Sequence, residues 1–122
     1  MAKTIMVVDD SEVMRQVVGT TLREAGYDVI EGEDGRDALS KLTGQRVHLV
    51  ISDLNMPHLD GIGFVRSLKQ LPAYRFTPVM MLTTESRDSI KAQGRAAGAC
   101  AWLLKPFQPE MVLQAVMKLV SL

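Results

Sequence analysis

The sequence predicts an α/β protein in which a doubly wound, five-stranded parallel sheet is covered by helices on both faces. Its apolar runs are short and continuous, which is typical of parallel strands buried on both sides. Each run is followed by a segment in which apolar residues recur at helical spacing. Right-handed crossovers between five such β-α units give an open sheet with helices on both faces.

The predicted strands are rich in Val, Ile, Leu and Met, and they recur along the whole chain. They are Ile5–Val8, Val29–Ile30, Leu49–Ile51, Val79–Leu82 and Trp102–Leu104. No internal repeat, low-complexity segment or Pro/Gly/Ser linker interrupts the alternation of runs and helical segments. Because 122 residues are about one domain's worth, we expect a single domain spanning residues 1–122.

Capping residues and apolar spacing predict the five helices. Ser11 is a suitable N-cap for the first helix, Asp60 for the third, and Pro109 fits the first turn of the fifth. Gly26 ends the first helix and Gly44 lies near the end of the second. The apolar residues at helical spacing are, helix by helix, Val13, Met14, Val17, Val18, Thr21, Leu22 and Ala25; Ala38, Leu39 and Leu42; Phe64, Val65, Leu68 and Leu71; Ile90; and Met111, Val112, Ala115, Val116, Leu119 and Val120.

The fourth predicted helix, roughly Arg87 to Ala97, has an unusual composition. Its apolar face consists of Ile90 and alanines, and Gly94 costs ~1 kcal/mol relative to Ala in a helix. A helix with so few large anchors fits a segment of low local stability. Close packing through its alanines is the alternative interpretation.

Composition and charge exclude several classes of function. The chain has 14 basic and 14 acidic residues, so it lacks the basic footprint of a nucleic-acid-binding protein. No run approaches the ~20 apolar residues of a membrane span, and the N-terminal segment does not resemble a secretory signal. We therefore expect a cytoplasmic protein with no membrane partner. The single cysteine, Cys100, excludes an internal disulfide and is expected to be a buried thiol.

Polar and charged residues follow the predicted strands, where the functional site of a doubly wound sheet lies. Three carboxylates, a hydroxyl and an ammonium should meet at this edge, whereas Glu31 and Gly32 of the second strand are expected to be peripheral. The converging groups are those of Asp9, Asp10, Asp53, Thr83 and Lys105. The residues that follow the strands are Asp9 and Asp10 after the first, Ser52, Asp53, Leu54 and Asn55 after the third, Thr83, Thr84 and Glu85 after the fourth, and Lys105 and Pro106 after the fifth.

Such a cluster needs compensation for its negative charge. Two like charges ~4 Å apart repel by ~4 kcal/mol at an effective dielectric constant of ~20. Three carboxylates therefore require a raised pKa, a cation, or both. Lys105 supplies one positive charge, and a hard divalent cation would supply two more. Mg²⁺ is the natural candidate, because it accepts a few carboxylates and keeps waters that a phosphate can replace.

Each of these residues also has an ordinary structural interpretation. Adjacent acids often stabilise a helix N-terminus, an Asp after a strand is often a turn residue, and Thr83 could cap a helix. The hypothesis of a site rests on their falling together at one edge. Phosphate-loop, dinucleotide and nucleophile-elbow motifs are absent from the sequence. Pro57 and His58 do not fit a calcium loop, and His48 and His58 are not spaced as a metal pair.

These motifs, in this order, resemble the receiver domain of two-component response regulators. The residues that carry the resemblance are Asp9-Asp10, Asp53 within the segment SDLNMPHLDG, Thr83 and Lys105-Pro106-Phe107. The resemblance covers the whole chain and implies a flavodoxin-like fold with strand order 2-1-3-4-5. Within the family, the chain is most similar to the stand-alone chemotaxis members.

The resemblance implies a role for each residue of the cluster. Asp53 would accept a phosphoryl group from a histidine kinase or a small phosphodonor. Asp10, Asp53 and the backbone carbonyl of Asn55 would bind Mg²⁺, with Asp9 holding it through a water. Lys105 and Thr83 would each bind a phosphoryl oxygen. The protein would not be an enzyme beyond its own phosphorylation and dephosphorylation.

The resemblance also implies how the signal leaves the site. Thr83 would move toward the phosphoryl group, Trp102 would turn inward, and the face of the fourth helix, fifth strand and fifth helix would bind the next partner. Trp102 stands where Tyr or Phe is commoner in the family. Asn55 and Glu85 occupy positions that tune the phosphoryl lifetime, and their identities predict loss of the group in seconds to minutes.

Several functions remain open at this point. The expected partners of a monomeric chemotaxis switch are a histidine kinase and a flagellar motor switch protein or other output protein. A phosphate sink, a relay shuttle or a regulator of another enzyme would have the same site. A metal-dependent phosphatase is disfavoured, because it needs an acid two residues after its nucleophile and Asn55 cannot donate a proton. A flavin carrier is disfavoured by acids where a phosphate-binding loop should be.

Overall fold

Five parallel strands form one sheet in the order β2-β1-β3-β4-β5, which confirms the order that the family resemblance implies. This computed structural model describes residues 2–120. Each predicted apolar run lies within an observed strand. The strands are β1 (Thr4–Val8), β2 (Asp28–Gly32), β3 (Leu49–Ser52), β4 (Val79–Thr83) and β5 (Ala101–Leu104).

A helix follows each strand, as predicted. The helices are α1 (Glu12–Glu24), α2 (Gly35–Lys41), α3 (Gly61–Gln70), α4 (Asp88–Ala97) and α5 (Pro109–Leu119), with a short 3₁₀ helix at Pro72–Tyr74. The predicted caps are present: the Ser11 hydroxyl accepts from the Met14 amide at 3.2 Å, and the Asp60 carboxylate accepts from the Gly63 amide at 2.7 Å. Asp34 caps α2 in the same way, which the sequence analysis did not predict.

The helices divide into two sets on opposite faces of the sheet, because alternate strand residues point to opposite sides. On one face, α2, α3 and α4 pack over a cluster that includes Met6, Val50, Phe64, Leu68 and Met81. On the other face, α1 and α5 pack over a cluster that includes Ile5, Leu22, Ile51, Met80, Val112 and Val116. Both faces of the central strands are therefore buried, which explains their continuous apolar runs.

Some apolar residues lie outside this core. Val13 and Met111 follow the helical period but are exposed. The prediction that Cys100 is a buried thiol is wrong: Cys100 is exposed. Its neighbour Ala99 takes the inward position just before the edge strand β5. Across residues 2–120, no helix combines the length and apolar character needed to cross a membrane.

Candidate functional site

Three carboxylates meet at the carboxyl ends of the central strands. Oxygen atoms of Asp9, Asp10 and Asp53 all lie within 4.8 Å of one another. The sheet register explains this proximity, because Val8 of β1 pairs with Ser52 of β3 and each next residue is an aspartate. The Asp53 amide also donates to the Val8 carbonyl at 2.9 Å. The structure thus brings together the acidic residues that the sequence analysis placed at this edge.

Lys105 supplies the positive charge in this cluster. Its ammonium Nζ lies 2.9 Å from Asp9 Oδ2 and 3.4 Å from Asp53 Oδ2. The Lys105 amide donates to the Thr83 carbonyl at 2.9 Å, which fixes the residue beside β4, and the Lys105–Pro106 peptide bond is cis. Lys105 therefore contacts two of the three carboxylates of the cluster.

Burial and charge shift the pKa values of the central pair. Asp53 is only 9% exposed, and burial raises the pKa of its carboxyl; the charge of Asp9 acts in the same direction, while the charge of Lys105 opposes both. Burial alone would lower the pKa of Lys105, but its hydrogen bond to Asp9 and the charges of Asp9 and Asp53 raise that pKa above its ordinary value. The ammonium therefore stays protonated.

Backbone donors orient the two buried carboxylates. Asp53 Oδ1 accepts from the Leu54 amide at 2.7 Å, so Oδ2 is the oxygen that faces Lys105. Asp9 Oδ1 accepts from the Ser11 amide at 2.9 Å, and Asp9 Oδ2 faces Lys105. Both side chains are thus held in one orientation, while Asp10 is exposed at the rim. Carboxylate oxygens in excess of positive charge are the ligands that Mg²⁺ prefers.

Thr83 and Asn55 are placed differently from the carboxylates. Thr83 ends β4 and is fully buried, and its hydroxyl accepts from the Glu85 amide at 3.3 Å. Asn55 is exposed in the loop after β3. The Thr83 hydroxyl is therefore hydrogen-bonded to the loop between β4 and α4 rather than to Asp53.

Glu85 connects that loop to two further residues. Its carboxylate is bound by the Arg87 guanidinium, with Oε1 2.7 Å from Nε, and this hydrogen bond, with a second one from the Arg87 amide, lowers the pKa of Glu85 to about 2. Its carbonyl accepts from the Trp102 indole N–H at 2.9 Å. Trp102 is partly buried and packs against the core cluster beneath α3 and α4. The Trp102 ring thus lies partly against the core in this structure.

The second strand makes contacts near the site that the sequence analysis did not predict. The Asp9 amide donates to the Gly32 carbonyl at 3.1 Å, and Arg15 of α1 donates to the Asp9 carbonyl at 2.6 Å. Arg15 also lies 3.5 Å from the Glu31 carboxylate. Glu31 and Gly32 thus add no side chain to the carboxylate cluster, but Gly32 binds the Asp9 backbone directly and Glu31 contacts Arg15, which binds the Asp9 carbonyl. Arg15 lies on an otherwise ordinary amphipathic helix, so no local signal distinguishes it.

Gly61, the last residue of the segment SDLNMPHLDG, is a second residue to which the sequence analysis gave no role. It begins α3, and a Cβ atom at this position would lie 2.8 Å from the Leu54 Cα and would also clash with the Asp53 carbonyl. The Gly61 amide donates to the Leu54 carbonyl at 2.7 Å. The absence of a side chain therefore lets α3 approach the backbone that carries Asp53. Its place directly after the capping Asp60 is the available sequence signal.

Comparisons with known proteins agree with this geometry. Residues 5–117 match the response regulator receiver domain. The chain is 38% identical to Protein PilG of Pseudomonas aeruginosa over 112 residues, covering 92% of this chain and 83% of PilG. It is 34% identical to a gliding motility regulatory protein of Myxococcus xanthus over 116 residues, covering 94% of this chain but 15% of that longer protein.

The solved structures lead to the same family. The structure of the chemotaxis protein CheY4 of Vibrio cholerae superposes on this one with a TM-score of 0.94 and 43% sequence identity, covering 98% of this chain and 99% of that chain. The aspartate cluster, the lysine beside it and the strand order are thus found in a chain whose sequence matches receiver domains nearly end to end. The protein belongs to the response regulator receiver domain family.

Proposed function

We propose that this protein is a phosphorylation-controlled switch that accepts a phosphoryl group on Asp53 and works as a single, monomeric receiver domain in the cytoplasm. One observation carries the proposal: the Asp53 carboxylate is oriented by a backbone amide, faces Lys105 at 3.4 Å and shares a 4.8 Å cluster with Asp9 and Asp10. That arrangement suits a nucleophilic carboxylate beside groups that compensate phosphoryl charge.

The reaction requires positioning and charge compensation more than proton transfer. A carboxylate oxygen of Asp53 attacks phosphorus, a new P–O bond forms, and the bond from phosphorus to the donor breaks. The donor is a phosphohistidine of a histidine kinase or a small acyl phosphate, and its imidazole or carboxylate leaves with the electron pair of the broken bond. Lys105 is held beside Asp53 and binds one phosphoryl oxygen, while Thr83 binds another when its hydroxyl turns from the Glu85 amide.

The donor set fits Mg²⁺. Asp10, Asp53 and the backbone carbonyl of Asn55 would hold the ion directly, and Asp9 would hold it through a water. The excess of carboxylates over the single ammonium at this edge favours a divalent cation. When bound, Mg²⁺ supplies positive charge to the phosphoryl oxygens. Lys105 and the backbone amide of Leu54 keep the acceptor oriented in either case.

We propose that the output face consists of α4, β5 and α5, controlled through Thr83 and Trp102. The hydrogen bonds from the Glu85 amide to the Thr83 hydroxyl and from the Trp102 indole to the Glu85 carbonyl provide a physical path. We also propose that Asn55 and Glu85 set the phosphoryl lifetime. We expect self-dephosphorylation in seconds to minutes, measured as decay of the phosphorylated form; a bond stable for hours contradicts this.

The relatives favour a role in motility. The chain is similar to a chemotaxis protein and to a gliding motility regulatory protein, as their names state. We therefore propose a chemotaxis-type histidine kinase as the phosphoryl donor and a flagellar motor switch protein as the output partner. A motor switch protein should bind the phosphorylated form more tightly than the unphosphorylated form. Equal binding would favour a phosphate sink or relay instead.

The phosphoacceptor is tested by adding acetyl phosphate and Mg²⁺ to the wild-type protein and to Asp53→Asn. Intact-mass spectrometry should show one added phosphoryl group on the wild type and none on the variant. Asp28→Asn is the matched control, because Asp28 is exposed at the amino end of β2, away from the site. Phosphorylation of Asp53→Asn, or equal phosphorylation after chelation of divalent ions, would contradict the proposal.

A further inference from the structure

Gly94 lies where the Trp102 ring meets α4. A Cβ atom on residue 94 would be 2.6 Å from Trp102 Cζ3 and 3.4 Å from Trp102 Cη2. Optimal carbon–carbon contacts are ~3.5–4.0 Å, so even an alanine methyl cannot share this space with the ring as it lies here. Gly94 is buried in the interior of α4, where glycine is a poor helix former. The close approach of Trp102 explains why residue 94 has no side chain.

The opposite edge of the same ring is also held. The Trp102 indole N–H donates to the Glu85 carbonyl at 2.9 Å. Because the indole is rigid, moving Cζ3 away from residue 94 shifts or tilts the N–H that makes this hydrogen bond. The backbone of Glu85 is in turn linked to Thr83, whose hydroxyl accepts from the Glu85 amide at 3.3 Å. Thr83, Glu85, Trp102 and Gly94 therefore form a continuous chain of contacts.

We propose that Gly94 is the positioning residue for Trp102, and that the bare backbone at residue 94 sets how strongly the site is coupled to α4. The first part stands on the contacts alone, and the coupling rests on the proposed function. A large ring at residue 102 is matched to the smallest residue at 94. Enlarging residue 94 displaces the ring from the Glu85 carbonyl, whereas shrinking residue 102 leaves a space that a methyl group can fill.

This matching is tested by asking whether the effect of Gly94→Ala on the urea midpoint changes sign when residue 102 is also changed. Gly94→Ala, Trp102→Phe and the double variant are compared with the wild type by urea denaturation. With Trp102 present, the alanine methyl meets the ring, and we expect the urea midpoint to fall. With Phe at residue 102, the same substitution removes a helical glycine without that contact, and we expect the midpoint to rise. Independent residues would shift the midpoint equally in both backgrounds.

Fluorescence gives a second measurement, because Trp102 is the single tryptophan of the sequence. In Gly94→Ala, we expect red-shifted emission and stronger quenching by acrylamide than in the wild type, since the ring loses its place beneath α4. After acetyl phosphate and Mg²⁺ are added, the change in emission should fall to less than half of the wild-type change. Mass spectrometry in the same samples should still show phosphorylation of Asp53.

The outcomes separate this proposal from the proposed function. Wild-type emission and quenching in Gly94→Ala, or the same midpoint shift in both backgrounds, would overturn the positioning role while phosphorylation of Asp53 stands. If Trp102 is displaced in Gly94→Ala but its emission still changes as much as in the wild type when acetyl phosphate and Mg²⁺ are added, the coupling role is overturned. If the wild type is not phosphorylated, the proposed function fails, and the urea and emission measurements still decide whether Gly94 positions Trp102.

Discussion

Two neighbouring β-α units of this protein differ in the size of the side chains that their helices bury. The unit β3-α3 buries large side chains of α3, namely Ile62, Phe64, Val65 and Leu68. In the adjacent unit β4-α4, the buried residues of α4 are Gly94 and Ala97, with Ile90 only partly buried. The helix beside Asp53 is therefore anchored, and the helix beside Thr83 is weakly held. The switch proposed for this protein needs both: a fixed Asp53, and an adjacent element that moves at low energetic cost.

The glycines of these two helices show the same contrast. Gly61 at the start of α3 is packed against backbone atoms of Asp53 and Leu54, which cannot move without moving the site. Gly94 in α4 is packed against the side chain of Trp102. Close packing against backbone fixes geometry, whereas close packing against one ring links that ring to the position of a helix.

The largest expected difference concerns the anchors of the two helices. Phe64→Ala should lower the free energy of unfolding by about 3–5 kcal/mol, because it removes a fully buried ring and leaves a cavity. Ile90→Ala on α4 should lower it by about 1 kcal/mol, because Ile90 is only partly buried. Urea denaturation measures both. Equal losses would mean that α4 is as firmly anchored as α3.

The next largest effect is expected at Gly61. Gly61→Ala should lower the free energy of unfolding by about 2–3 kcal/mol, because the new methyl group meets backbone on the Asp53 side. It should also slow phosphorylation by acetyl phosphate. Gly63→Ala is the matched control in the same helix, since its methyl group would meet the side chain of Leu59. If the two variants have the same stability, the contact of α3 with the backbone of Asp53 and Leu54 does not make residue 61 less tolerant of a methyl group than residue 63.

A smaller effect with a defined pH dependence is expected at Asp53. Burial raises the pKa of Asp53 above its ordinary value of 3.8, so ionisation destabilises the folded state once the pH exceeds that ordinary value. Asp53→Asn should therefore stabilise the protein by about 1 kcal/mol at neutral pH. The gain should disappear as the pH falls below the ordinary value, and thermal denaturation across pH measures it.

Asp34→Asn provides the control of opposite sign. The backbone amide of Asp37, with the hydrogen bond to His58, lowers the pKa of Asp34. A lowered carboxyl pKa stabilises the folded state above the ordinary value, and this contribution is lost as the pH falls. Asp34→Asn should thus destabilise the protein at neutral pH and have less effect in acid. The same pH trend in both variants would contradict the assignment of these shifts.

The smallest effect on stability is expected at the exposed pair between Arg87 and Glu85. Arg87→Ala should raise the pKa of Glu85 from about 2 toward its ordinary 4.5, because the guanidinium that binds its carboxylate is gone. NMR titration of the Glu85 carboxyl measures this change. The urea midpoint should not change measurably, since surface pairs contribute little. A large loss of stability would show that this pair, rather than the Trp102 contact, holds the loop before α4.

Much of this arrangement follows from local patterns. Short apolar runs identified the five strands, because parallel strands buried on both faces must be apolar throughout. Ser11 and Asp60 predicted helix starts correctly, because an N-cap is a local hydrogen bond. The meeting of Asp9, Asp10 and Asp53 could be predicted because the carboxyl ends of parallel strands share one edge.

Other features depend on contacts between residues far apart in the chain. Arg15 holds the Asp9 carbonyl and lies near Glu31, Gly61 approaches the Asp53 backbone, and Cys100 turns outward beside the edge strand. Burial and pairing at each position depend on which elements meet there, and one segment does not contain that information.

The sequence by itself therefore determined the order of elements, the edge that carries the acidic cluster and the scarcity of large apolar residues on α4. Only the tertiary structure decided that Lys105 lies between Asp9 and Asp53, and that Gly94 lies over Trp102 while Glu85 binds its indole. The physical reason is the distance along the chain over which each interaction acts. Periodicity and capping act over a few residues, whereas charge compensation and close packing depend on atoms that only the folded chain brings within contact distance.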